Sequence, residues 1–149
     1  MISVRGRFMY SEAHPILVVD HEPVRREWIA RILAEEDFPV ATAAEGLAAL
    51  RLAGQRRFAL IVAAAWLPGS LDGPATLRQA RARQPWLKAL FTGDAGERRR
   101  WDNPDCDEFV AAPLQRRELL GCIFELLHRQ PASGGAGLER RYRAQLRSS

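Results

Sequence analysis

Residues 15–33 read PILVVDHEPVRREWIARIL. The apolar run from Ile16 to Val19 has no polar interruption and ends in Asp20, the pattern of a strand buried on both faces. Pro23 suits the first turn of a helix, and Val24, Trp28, Ile29, Ile32 and Leu33 fall on one face of a helix running to about Glu36. Strand, short acidic loop and amphipathic helix make one β-α unit, and the chain repeats it.

Val40 to Ala43 reads as a second short strand, and Glu45 to about Gly54 as a helix carrying Leu47, Leu50 and Leu52 with a glycine at its end. Phe58 to Ala64 is a third strand, inside the segment FALIVAAAWLPGSLDG of residues 58–73. Gly73-Pro74 opens a helix from Pro74 to Gln84, which Pro85 closes. Trp86 to Phe91 is a fourth strand leading into Thr92-Gly93-Asp94. The next segment, AGERRRWDNPDC, has little apolar periodicity and is interrupted by Pro104, so it predicts only a short helix. Glu108 to Ala111 makes a fifth strand, and Leu114 to about Arg129 a helix whose buried side carries Leu119, Leu120, Ile123, Phe124, Leu126 and Leu127. Alternating strands and helices predict an α/β fold, a doubly wound parallel sheet with helices on both faces.

Composition agrees with a single domain able to bury a core: 149 residues, 47% hydrophobic and 27% charged. The expected organisation is an extension over 1–14, a folded body over 15–130, and a flexible basic tail over 131–149 that begins at Pro131 and SGGAG. No stretch approaches the roughly 18 apolar residues of a membrane span. The first residues, MISVRGRFMYSEAH, lack the apolar region of a secretion signal, so the expected location is the cytoplasm. Cys106 and Cys122 stand apart without a CxxC or a histidine at ligand spacing, and read as packing residues.

The net charge of +4 raises nucleic acid as a partner. Arginine supplies all the basic residues but Lys88, and Arg140, Arg141, Arg143 and Arg147 of the tail, against Glu139, account for +3 of the total. The body is therefore nearly neutral. The tail is too short for an output domain and would supply only nonspecific phosphate contacts. A flavin or nucleotide enzyme on this scaffold is disfavoured as well, because the first strand is followed by Asp-His-Glu-Pro and not by a glycine-rich phosphate loop.

ILVVDHEPVRREWIARIL, the AxxGLAALRL segment, FALIVAAAWLPGSLDG, LFTGD and FVAAPLQRRELL together resemble, in order and spacing, the CheY-like receiver domains of bacterial response regulators, over about residues 15–130. The resemblance implies the flavodoxin-like strand order 2-1-3-4-5. It also implies a chemistry in which an aspartate ending the third strand accepts a phosphoryl group from a histidine kinase. An acidic pair after strand one and that aspartate hold magnesium; a hydroxyl after strand four and a lysine after strand five bind the phosphoryl oxygens. The carboxylate is the nucleophile, while metal and lysine neutralise the developing charge.

Carried over residue by residue, the phosphoacceptor position is Ala64, counted back from the proline of the LPG turn. A methyl group cannot attack phosphorus. The acidic pair reads Asp20-His21, and the lysine position before a proline is Ala112, with no lysine after Lys88 to replace it. What remains is Asp20, Thr92 at the hydroxyl position and Phe109 at the position of the switch aromatic. The resemblance is thus to a degenerate, or pseudo-, receiver of two-component signalling, without enzymatic activity. Magnesium is expected to bind weakly or not at all, and no other cofactor is implied.

Alternatives attach to several residues. Asp20-His21-Glu22 reads as a metal cluster or as a solvated loop with a helix-start charge. Asp72 is a substitute phosphoacceptor or, more simply, a helix cap. His21 as a phosphotransfer histidine is disfavoured, since those stand on helical bundles. Thr92 is either the residual signalling hydroxyl or a plain strand end. Function then moves to the surface, toward a protein partner: a histidine kinase, another receiver or a second copy of the chain. The expected interface carries Arg98, Arg99, Arg100, Trp101, Arg116 and Arg117, with Trp101 as an exposed aromatic anchor or as cover for a short helix. Trp66, on the loop over the former site, is expected to cover the pocket.

Overall fold

A computed structural model describes residues 15–128. The extension over 1–14 and the basic tail over 131–149 lie outside the described residues. The elements run β1 (Ile16–Val19), α1 (Pro23–Glu35), β2 (Val40–Ala43), α2 (Gly46–Ala53), β3 (Leu60–Ala64), α3 (Gly73–Arg83), β4 (Lys88–Gly93), α4 (Ala95–Arg100), β5 (Glu108–Ala111) and α5 (Arg116–His128). The strands form one parallel sheet in the order β2-β1-β3-β4-β5. The fold is the flavodoxin-like α/β arrangement expected, with β3 two residues shorter at its start and β4 two residues longer at its end than the sequence pattern predicts.

Side chains alternate across the sheet with period two. Leu17, Val19, Ile61, Ala63, Ala89 and Phe91 pack with α2 and α3 through Ala49, Ala53, Leu77 and Ala80. Ile16, Val18, Leu60, Val62, Leu90 and Val110 pack on the other face with Ile29, Leu33, Leu119, Ile123 and Leu126 of α1 and α5. Both faces are covered, which is why the strands are almost wholly apolar. Among the described residues no helix is long and apolar enough to cross a membrane.

Two predicted core positions are corrected. Val24 is 76% exposed, because it sits in the first turn of α1 beyond the sheet's edge. Leu47 is exposed too, and the sheet-facing positions of α2 are the small residues Gly46, Ala49 and Ala53. The reason is close approach: a Cβ on Gly46 would lie 2.3 Å from Thr76 Oγ1 and 2.8 Å from Leu71 Cβ. The short α4 holds a capping box, with Asp94 accepting from Glu97 N at 2.6 Å and Glu97 accepting from Asp94 N at 3.0 Å. Cys106 and Cys122 are both half-buried free thiols, and Cys106 Sγ donates to the Glu108 carbonyl.

Candidate functional site

Strand register gathers the residues at the carboxyl edge of the sheet. Ala64 ends β3 opposite Thr92 of β4, and Gly93 pairs with Ala111. Backbone bonds carry the ladder one rung further: Asp20 N donates to Ala43 O, Ala65 N to Thr92 O and Ala112 N to Gly93 O, at 3.0, 2.8 and 2.7 Å. The result is a cleft of about 450 Å³ whose lining includes His21, Arg25, Ala64, Trp66, Thr92 and Ala112. Of the positions singled out from sequence, His21, Ala64, Thr92 and Ala112 line this cleft and Asp20 does not, and the peptide bond Ala112-Pro113 is cis. Thr92 is buried at 3% exposure, and Asp20 is buried still more completely at 1%.

The dominant charge contact is one the sequence reading passed over. Arg25, in the first turn of α1, presents its fork to Asp20, with Nε 2.5 Å from Oδ2 and Nη2 2.8 Å from Oδ1. Glu22 N adds a bond to Oδ1 at 2.9 Å, and Arg26 Nη1 donates to the Asp20 carbonyl at 2.9 Å. The hydrogen bond to Asp20 raises the Arg25 pKa above its ordinary value, against the opposing effect of burial. The spacing held a signal for this pair: side chains in the first turn of a helix lean back toward its N-terminus, and α1 starts just past Asp20.

Magnesium, which the resemblance implies, does not fit this donor set. It takes a near-octahedral shell of hard oxygens. Ala64 offers a methyl group, and both Asp20 oxygens are engaged by Arg25. Glu22 turns its carboxylate to cap α1, accepting from Val24 N at 3.0 Å. His21 offers nitrogen, 3.7 Å from Asp20 Oδ1 through Nδ1, and its ring meets Trp66 edge-on with centroids 4.8 Å apart. Among the described residues no three of His, Cys, Asp and Glu converge as a metal-binding group.

Other expectations change with the geometry. Trp66 lines the cleft while 58% exposed, and its ring meets His21 edge-on. Asp72 caps α3 by accepting from Ala75 N at 2.9 Å, the simpler of its two readings. Gly73, next to it, packs so tightly that a Cβ would meet the Ala64 carbonyl at 2.4 Å. Trp101 is not an exposed anchor. It leaves α4 in extended conformation, which turns its ring inward, 5.1 Å from Phe91 and 5.0 Å from the buried Phe109. Its Nε1–H is buried and, among the described residues, meets only the weak acceptor Cys106 Sγ. Burial pushes the Cys106 thiol up to about 11.

The arginine face is correspondingly reduced. Arg98 and Arg99 of α4 and Arg117 of α5 are exposed, and Arg100 ends α4. Arg116 is turned away to α1, with Nη1 2.7 Å from Glu35 and Nη2 3.3 Å from Glu36. Its charge is engaged within the chain.

Comparison with known proteins follows the same lines. The sequence profile of the response regulator receiver domain matches residues 16–123. Response regulator Rre1 of Synechocystis is 33% identical over 135 residues, covering 87% of this chain and 58% of that protein. PetR of Rhodobacter capsulatus is 30% identical over 132 residues, covering 87% of this chain and 55% of its own. The chain spans little more than half the length of these curated relatives. Among solved structures, the receiver domain of NtrX from Brucella abortus is similar with a TM-score of 0.69 at 28% identity, over 77% of this chain and 99% of that one.

Proposed function

Since the chain belongs to the response regulator receiver domain family, we propose that it is an atypical receiver that signals through protein contacts without aspartyl phosphorylation. One observation carries the reading. The β3 residue that stands in register with Thr92, at the floor of the cleft, is Ala64. No nucleophile stands there, and the neighbouring positions that would handle metal and phosphoryl charge hold His21 and Ala112. Asp72, the nearest aspartate after the strand, is engaged in capping α3. Recognition then falls to the surface, where exposed Arg98, Arg99 and Arg117 favour a partner protein with an acidic face, a kinase or another receiver among them.

The test is incubation with acetyl phosphate and magnesium, read by intact mass and by peptide mapping after borohydride trapping of any acyl phosphate. The expected mass is unchanged for the wild type and for Ala64→Asp, since the single carboxylate still lacks a fitted metal site and a lysine. A phosphoryl increment on an aspartate of the wild type overturns the proposal.

A further inference from the structure

We propose that the Arg25 guanidinium is the resident cation of this site, holding beside Asp20 the place that a divalent ion would otherwise take and fixing the β1–α1 corner without metal. The inference is separate from the phosphorylation reading, because it concerns the cation alone and stands or falls whether or not the chain accepts phosphate. A carboxylate at 1% exposure requires a compensating charge at close range. His21 is 3.7 Å away through Nδ1 and faces Trp66, while Lys88 donates to the Leu126 carbonyl. Among the described residues Arg25 alone grips both Asp20 oxygens, in the planar two-pronged geometry that a guanidinium offers and an ammonium does not.

The rest of the corner is built around that grip. Glu22 N and Arg26 Nη1 occupy further acceptor positions of Asp20, one on the carboxylate and one on the backbone carbonyl. The outer face of Arg25 lines the cleft, so the cation stands between the buried carboxylate and solvent. A guanidinium is always protonated, so this charge does not vary with metal supply or with physiological pH. A divalent ion entering here would have to displace a tethered ligand that is present at every moment.

Thermal unfolding of four proteins, each in chelator and then in magnesium or manganese, tests the proposal: wild type, Arg25→Met, Arg25→Gln and Asp20→Asn/Arg25→Met. The wild-type midpoint is expected to be the same with and without metal. Arg25→Met and Arg25→Gln should unfold at lower temperature than the wild type in chelator, and metal should not restore them, because Asp20 is then a lone carboxylate in a donor set that does not fit the ion. The double variant, which lacks the unpaired carboxylate, should recover much of the lost stability and ignore metal. Arg25→Gln keeps a donor for Asp20 and serves as the readout where Arg25→Met does not fold. A metal-dependent rise in the wild type, single variants as stable as the wild type, or a double variant no more stable than Arg25→Met, overturns the proposal.

Discussion

Replacing Trp101 by phenylalanine should leave stability nearly unchanged, while replacing it by alanine should not. The ring packs against Phe91 and Phe109, and Phe109 is a buried member of the sheet's α2–α3 face. Truncating a fully buried tryptophan costs about 3–5 kcal/mol; half burial brings the packing loss to about 2–3 kcal/mol, including the two ring contacts. Against that stands a buried Nε1–H that meets only the weak acceptor Cys106 Sγ among the described residues, whose desolvation costs about 1 kcal/mol, the low end for an unsatisfied donor. Trp101→Ala removes ring and donor together, for a net loss of about 1–2 kcal/mol. Trp101→Phe removes the donor and keeps one ring against both neighbours, so the terms nearly cancel. Urea unfolding followed by far-ultraviolet circular dichroism measures both, and the alanine midpoint should fall by about 1 M. Equal losses in the two variants would mean that the indole N–H is satisfied and that the ring's second half carries the packing. No loss in Trp101→Ala would return the residue to the surface, as the anchor that composition suggests.

Two further outcomes follow from local geometry. Gly73→Ala places a Cβ 2.4 Å from the Ala64 carbonyl and 2.9 Å from Phe91, and because the first of these is backbone it should cost about 3 kcal/mol in chemical denaturation. Cys106, whose folded pKa is raised by burial to about 11, retains its proton where the unfolded thiol has lost its own; stability contributed below pH 9 is therefore lost as pH rises toward 11. The loss should reach at most about 2–3 kcal/mol, and Cys106→Ala should flatten that alkaline limb of the stability curve.

The legibility of the fold follows from where its information is local. Strands β1 and β3 are apolar runs because both of their faces are covered, and Gly73-Pro74 and Pro85 mark the limits of α3 within a residue or two. Helix faces were less legible at their ends. Val24 obeys the helical period of α1 yet projects beyond the sheet, and Leu47 does the same on α2, where close packing selects glycine and alanine. Periodicity says which residues share a side, and it does not say how far along the helix the neighbouring layer extends.

The candidate site divides in the same way. Ala64, His21 and Ala112 are chemical absences, and an absence at a fixed offset from a Pro-Gly turn or a proline is fully present in the sequence. The directions of the larger side chains are not. Trp66 edge-on to His21, Trp101 turned inward and Arg116 drawn to Glu35 each depend on a side-chain direction that no spacing rule fixes.

By itself, then, the sequence determined a doubly wound sheet, the place of its carboxyl edge and an alanine, Ala64, at the end of its third strand. Only the tertiary structure decided what balances the surviving carboxylate. Asp20 and Arg25 are five residues apart across a strand end and a helix start, and their pairing depends on how α1 leaves the sheet. That angle is set by Ile29 and Leu33 packing against Ile16 and Val18, a long-range demand that brings a surface-coded arginine over a buried aspartate.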